Sequence, residues 1–588
     1  MIILPLCDII QLTYILTYGV YHMASIIKKK IKNQIYYYYV ESKRINGKPK
    51  LVNQRYLGTA EKLLETVLAD KTSLQERVLY SDASEFGTVA LLYDLASRLD
   101  IIGLIDGVIH KRKQGASIGM YILTAAINRA VAPSSKSGLQ EWYSATALPL
   151  MTGIRPSAFT AQNFWNNTGI SNHDINNMED AILRKMITSY DIDTSHIIYD
   201  ATNFFTYIDT MQGCKTPKRG HSKEKRNDLR IVGLSLMVSP DFSIPLLHET
   251  YPGNRSDVKE FAVMMEKLKS RYEFLTNSKT DVTVVFDRGN NSESNISLLE
   301  SGDFKLHYVG GLKKNQAAEL FGVPHSQYIP LASPSLEGQS VYRTEMEVYA
   351  RTMTTVIVYN PELEKGQMQG ILINREKAAA KLMELQQKLM RRAAGEIIKG
   401  KKPTVESVTR SVETILKTEY MKDIFRYEIL ESGGNVYLTF ATSDDALEQV
   451  REKQLGKTAL FTDRHDFTNE EIVNAYRSAW HVEAAFKQMK NTDHLTVRPM
   501  FHWTDEKIGV HIFTCVLAYR LSCLLIKELS DRGIHTNING MLDEMAEIKR
   551  INTFFGDIVK PEKVESYTLG SELAQQIEST YRLKQKYS

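Results

Sequence analysis

Cysteine is scarce in this chain: 588 residues hold four, Cys7, Cys214, Cys515 and Cys523. None form a C-x-x-C pair, and the last two stand eight apart in an apolar, helical stretch. That argues against a disulfide framework and a zinc site, and for a reducing, cytoplasmic setting. An excess of one charge is missing too. Lysine and arginine number 73 against 69 acidic residues, a net charge of +4. A nucleic-acid surface would therefore have to come from local clustering, not from bulk charge. No long internal repeat and no low-complexity tract occurs. An unbroken apolar run is also lacking, since a membrane span needs about 20 such residues. Residues 1–22 come nearest, but Asp8 and Gln11 interrupt them. They have no basic start and no small-residue cleavage site, so they read as a mis-assigned start or leader, with Met23 the natural first residue. No membrane partner is expected.

What is present suits a multidomain protein. Hydrophobic residues make up 43% and charged residues 24%. At roughly 100–200 residues per domain, the length allows three or four pieces. Residues 31–57 read as a β-hairpin: a tyrosine-rich strand from Ile35 to Val40, an Asn46-Gly47 turn, and a return from Leu51 to Leu57. Lys28, Lys29, Lys30, Lys32, Lys43, Lys48 and Lys50 surround it, so it could lie on DNA or be an ordinary half-exposed hairpin. From Glu61 to about Tyr190 the pattern is helical, as in Val89 to Leu99 and Ile118 to Ala130, punctuated by Pro133, Pro149 and Pro156. Residues 23–190 thus read as a hairpin plus a helical DNA-binding domain, without a clear helix-turn-helix signature.

The pattern then changes to α/β. His196 to Tyr199 is a short apolar strand ending on Asp200. Ile231 to Val238 and Ile244 to Glu249 are strands, and Ser256 to Tyr272 is helical. Val282 to Phe286 is a strand ending on Asp287, Asn291 to Glu300 is helical, and Leu306 to Val309 is a strand. This β-β-β-α-β-α-β order matches a ribonuclease-H-like core. The core is split in two, 191–315 and 466–530, by a mixed β/α insertion over 316–465. The insertion has a long amphipathic helix carrying Leu382, Leu385 and Leu389 on one stripe, suited to packing or oligomer contact. A C-terminal helical region, 531–588, follows.

The chemistry-bearing residues sit in the two core parts. Carboxylates at strand ends, such as Asp200 and Asp287, are held rigidly and open to solvent. Oxygen-only donors suit Mg²⁺, with Mn²⁺ as a substitute. Two such ions about 3.5–4 Å apart can act on both oxygens of a phosphodiester displacement. Glu483 is the candidate third ligand, on a helix opened by the capping box of Thr468 and Glu471. Tyr476, Glu483 and Lys490 lie seven apart on that helix, about two turns each, and so share a face. Lys215, Lys218, Arg219, Lys223, Lys225, Arg226 and Arg230 form a basic stretch after the Asp200 strand, against only Glu224 and Asp228. It is read as a DNA contact, the alternative being a solvated loop. His221 and His511 are isolated and read as hydrogen-bonding histidines, not ligands.

Five motifs in this order resemble a known family: Asp200-Ala201-Thr202; Gly220 through Leu229 (GHSKEKRNDL); Tyr251-Pro252-Gly253-Asn254 with Ser256-Asp257; Asp287-Arg288-Gly289; and the helix Tyr476 to Lys490, followed by Arg498-Pro499. Together they resemble DDE transposases of the insertion-sequence-four group, bacterial or archaeal, with their Tyr-x2-Arg-x3-Glu-x6-Lys signature. The resemblance covers most of residues 30–530. It implies Asp200, Asp287 and Glu483 as catalytic metal ligands for two ions, and Tyr476 and Lys490 as phosphate contacts. Arg288 and Arg498, in the matching motifs, join Lys223, Lys225 and Arg226 as expected DNA-binding residues. One position departs: the signature arginine is Ala479, and Arg477 lies about 200° around the helix from it.

The resemblance implies two chemical stages. Hydrolysis at each transposon end frees a 3′-OH, which then attacks target DNA in line. No protein nucleophile is needed, and a homodimer would handle the two ends. Two rivals stay open: a ribonuclease-H-like nuclease without strand transfer, and a domesticated copy that only binds DNA.

Overall fold

The computed structural model describes residues 23–31, 34–45, 48–66, 78–109, 115–208, 214–271, 282–557 and 560–587. The leader 1–22, Lys32 and the Asn46-Gly47 turn lie outside the described residues. The chain divides into two compact units, Met1–Glu85 with Ile548–Leu569, and Phe86–Glu547 with Gly570–Ser588.

In the first unit, strands Met23–Ile31, Gln34–Ile45 and Lys48–Gly58 form one antiparallel sheet in chain order. The expected hairpin is the second half of it. Its tyrosines pack across strands, as rows of aromatic residues on a pleated surface do. Tyr56 lies 5.9 Å from Tyr36 and 5.3 Å from Tyr38, ring centre to ring centre. The Lys29 ammonium stands 5.0 Å from the Tyr38 ring centre. A second sheet pairs Val78–Glu85 with Lys549–Asp557, and that strand with Lys560–Tyr567. The segment 531–588 is therefore not helical throughout, contrary to expectation. Two of its strands find their partner at 78–85, a pairing that no local pattern announces.

The second unit is built on a nine-stranded mixed sheet. Its strands are β1 (His196–Thr206), β2 (Arg230–Val238), β3 (Pro245–Pro252), β4 (Thr283–Phe286), β5 (His307–Gly311), β6 (Ile329–Pro330), β7 (Ser340–Val348), β8 (Arg351–Tyr359) and β9 (Lys457–Thr462). They lie side by side in the order β6-β7-β8-β9-β5-β4-β1-β2-β3. β4 pairs in parallel with β1 and with β5, and every other pairing is antiparallel. All four residues of β4 are buried, as a central parallel strand covered on both faces requires.

Seven helices of this unit enter the account: α1 (Asn172–Tyr190), α2 (Asp257–Lys269), α3 (Glu293–Glu300), α4 (Pro361–Ala393), α5 (Asn469–Arg477), α6 (Trp480–Met489) and α7 (Asp505–Asp531). The chain order β1-β2-β3-α2-β4-α3-β5 is the one the sequence pattern predicts. Two boundaries differ from the expectation. β1 runs on past Asp200 to Thr206, because β2 pairs with it along the whole length from Ile198 to Thr206. Within 316–465, strands β6 to β9 extend the main sheet, while α4 closes over its own core. There Leu382 and Leu389 are buried with Val412, Phe425 and Leu438, and Leu385 packs against them.

By length and composition α7 could cross a membrane, but its apolar stretch is wholly buried in the unit. It is the spine of the core. Arg520, fully buried, donates to Glu179 on α1 at 3.0 Å and to the carbonyls of Pro245 and Leu246 at 2.8 and 3.1 Å. Glu179 also meets His248 of β3 at 2.6 Å. A buried charge needs such partners, and these lock α1 and α7 onto the sheet edge.

Candidate active site

The parallel pairing of β1 with β4 ends at Tyr199 opposite Phe286. Asp200, still within β1, and Asp287, the first residue past β4, come next on two neighbouring chain segments, where strand backbones run about 4.8 Å apart. Asp200 thus does not end its strand. What ends there is the parallel ladder, and that opens the space between the two carboxylates. Asp287 is exposed and opens a short turn closed by Asn290 N–H donating to its carbonyl at 3.0 Å.

Burial pushes the Asp200 carboxyl up to about 6. The Lys223 ammonium opposes that rise, while the negative charges of Asp287 and Asp257 add to it. Asp257, the first residue of α2, is a fourth carboxylate that sequence reasoning left without a role. Lys223 lies 3.9 Å from it and donates to the Ala201 carbonyl.

The third acid comes from the far side of the cleft. Thr468 and Glu471 form the expected capping box on α5. The helix from Tyr476 to Lys490 is tightened in its middle, however. α5 ends at Arg477 and α6 starts at Trp480. Three-residue hydrogen bonds, Ala479 N–H to Tyr476 O at 3.1 Å and His481 N–H to Ser478 O at 2.9 Å, carry the turn between them. Ser478 and Ala479 keep right-handed helical dihedrals, so the tightened turn at Ala479 leaves the helical path nearly unbroken. Tertiary contacts hold both sides of it. The Tyr476 hydroxyl donates to Asp287 Oδ1 at 3.1 Å. The Lys490 ammonium donates to Thr202 Oγ1 at 2.9 Å, two residues along β1 from Asp200. Burial, then Asp287, then Glu483 raise the Tyr476 hydroxyl pKa, with Arg288 opposing. Tyr476 therefore stands within the field of both acids.

Gly311 makes the Tyr476 contact possible. A Cβ on Gly311 would lie 2.5 Å from the Tyr476 hydroxyl. Asp200 and exposed Glu483 line one cleft of about 1190 Å³ together with Lys223, Trp480 and Lys490. Among the described residues, no three His, Cys, Asp or Glu side chains are grouped tightly enough to hold a metal ion. The donor chemistry nonetheless fits a hard divalent cation: carboxylate oxygens only, and an Asp200 whose neighbours' negative charges await neutralisation.

The basic stretch is seated on β1. Asn203 donates to the His221 carbonyl at 3.0 Å and accepts from Lys223 N–H at 3.1 Å. Two motif glycines let backbones touch: a Cβ on Gly220 would meet the Gly253 carbonyl oxygen at 2.3 Å, and one on Gly253 the Ile231 oxygen at 2.1 Å. Lys225 is exposed, with a left-handed backbone of φ 61°. Arg226 pairs with Asp228 at 2.8 Å, and Arg498 with Glu224 at 2.6 Å. Arg288 is exposed beside Asp287. Glu224, read from sequence as a minority charge, is in fact the anchor for Arg498 and lies 3.9 Å from Lys490. Buried His511 meets the Val497 carbonyl at 2.8 Å, as a hydrogen-bonding core histidine.

Asp200 on β1, Asp287 just past the neighbouring β4, and Glu483 across a cleft from Asp200 form an acidic candidate site on a mixed α/β sheet. Residues 192–521 match the family described as the transposase DDE domain. The chain belongs to that family and is a DDE-type transposase. Comparison with curated proteins finds no match. Among solved structures the chain is similar to one described as a piggyBac transposase synaptic complex with hairpin DNA. Identity is 8% and the TM-score 0.39, over 80% of this chain and 82% of that one. That likeness is too distant to assign a role to any residue.

Proposed function

We propose that this transposase belongs to an insertion sequence of the insertion-sequence-four group, bacterial or archaeal, and works in the cytoplasm. In this reading it cleaves DNA at the two element ends and joins the freed 3′-OH to target DNA. The observation that carries the reading is the register of β1 and β4, which makes Asp200 and Asp287 neighbours and leaves Glu483 across one cleft from Asp200. The strand order β3-β2-β1-β4-β5 supports a ribonuclease-H-like core.

Asp200, Asp287 and Glu483 would hold two Mg²⁺ ions, or Mn²⁺ in their place. When bound, such ions polarise the phosphodiester and acidify the attacking water or 3′-OH. The chain's own residues do the rest. Tyr476 orients Asp287 through its hydroxyl. Lys490, fixed on Thr202, presents a cation beside Asp200 for the scissile phosphate. Burial, helped by Lys223 and Arg498, lowers the Lys490 pKa against the pull of Glu224 and Asp200. Lys223, Lys225, Arg226, Arg288 and Arg498 would grip the DNA backbone, and a homodimer would hold both ends.

A strand-transfer assay with labelled element ends and Mg²⁺ tests this. Wild type should yield both cleaved and joined products, and Asp287→Ala should yield neither. Cleavage that survives Asp287→Ala defeats the metal-site assignment. Cleavage without joining favours a nuclease, and binding without cleavage a domesticated DNA-binding protein.

A further inference from the structure

Past Asp200, β1 leads to half-buried Phe205 and two exposed aromatic rings that the acidic centre does not use. Phe205 and Tyr207 meet edge to face, 5.7 Å between ring centres. Tyr207 and Phe501 stack at 5.1 Å with only 22° between their planes. Tyr207 is 48% exposed and Phe501 51%. The arrangement is rigid at its base, because Tyr207 N–H donates to the Met500 carbonyl at 3.1 Å. Two guanidinium groups, Arg226 and Arg498, lie over the Phe205 ring at 5.3 and 5.2 Å.

A short chain of contacts joins these rings to the cleft. Arg498 donates to the Lys490 carbonyl at 3.1 Å, and Lys490 reaches Thr202. Phe205 is five residues beyond Asp200 and on the other pleat face, about 16 Å along the strand at about 3.3 Å per residue.

A stacked, half-exposed aromatic pair beside cations is poorly explained as core packing. Nor does it suit duplex DNA, whose base faces are already stacked on one another. It suits unpaired bases, which offer a π-face to an aromatic ring while the backbone meets arginine. We infer that Phe205, Tyr207 and Phe501, flanked by Arg226 and Arg498, form a stacking platform for an unpaired DNA strand leaving the acidic cleft. The inference rests on the DNA-cleaving function proposed for the acidic centre, and names the form of DNA that this surface takes.

The test uses the full chain, a 20-nucleotide mixed-sequence single strand and the matching duplex, with binding followed by fluorescence anisotropy. In Tyr207→Ala/Phe501→Ala, single-strand affinity should fall by about tenfold or more, while duplex affinity stays within about twofold of wild type. Phe501→Trp should keep single-strand binding. The salt dependence of binding should not change, because stacking releases no counterions. An equal loss for single strand and duplex, or no loss, overturns the platform. So does a change of oligomeric state in the double variant, which would make this a protein-contact surface. Wild type that cleaves element ends but binds single strands indifferently to these substitutions sinks the platform alone. Wild type that binds neither DNA sinks both readings.

Discussion

Gly311→Ala should cripple the enzyme without touching any acidic or basic residue. The new Cβ would lie 2.5 Å from the Tyr476 hydroxyl and 3.0 Å from its Cζ. The Gly311 backbone is poorly placed to yield, since it pairs with Leu460 in the sheet and its carbonyl accepts from the Asn291 amide. The ring tip must therefore move, and its 3.1 Å bond to Asp287 is lost. A hydrogen bond to a charged group is worth roughly 1.5–3 kcal/mol. If that bond orients Asp287, its loss slows cleavage by roughly ten- to a hundredfold. Tyr476→Phe should slow it equally, because it removes the same hydroxyl. The double variant gives the sharp result. With phenylalanine at 476 the closest clash is gone, so Gly311→Ala/Tyr476→Phe should be no slower than Tyr476→Phe alone. Single-turnover cleavage of a labelled end measures all four proteins, and melting curves check that each is folded. Additive losses in the double variant, or a wild-type rate for folded Gly311→Ala, would refute the reasoning.

Two further substitutions probe the scaffold. Lys136 is 5% exposed, its ammonium makes no hydrogen bond, and burial, aided by the Arg129 charge, lowers its pKa to about 7. A depressed lysine contributes stability that is present above its unfolded value, 10.5, and is lost as pH falls through about 7. Lys136→Met should thus raise the melting midpoint most at pH 7 and below, by an amount equivalent to roughly 5 kcal/mol, with the advantage fading as pH rises toward that unfolded value. An advantage independent of pH between about 6 and about 10 would show that the ammonium is not buried as described. Glu179→Ala strips Arg520 of its acidic partner at 3.0 Å. Breaking a fully buried pair from one side costs about 3–5 kcal/mol, so a markedly lower urea midpoint is expected, and an unchanged one would mean that water reaches Arg520.

The acidic centre was legible where local pattern and structure agree. Val-Val-Phe before Asp287 and Ile-Ile-Tyr before Asp200 are buried strand segments, and their apolar runs announce it. What the runs cannot show is that both acids stand one step past the same parallel rung, since register belongs to the pair of strands and not to either one. The helix carrying Glu483 shows the opposite failure. Alanine is the best helix former, so nothing around Ala479 signals a change, yet the helix tightens there. Two anchors, Tyr476 on Asp287 and Lys490 on Thr202, lie on either side of the turn. Tertiary bonds of this kind override propensity without leaving a mark in composition. The same holds for Gly311, whose only distinction is that Tyr476, far along the chain, lies where a side chain would be. Position 479 keeps helical dihedrals and makes no side-chain cap, so the turn between α5 and α6 is a local tightening of one helical path.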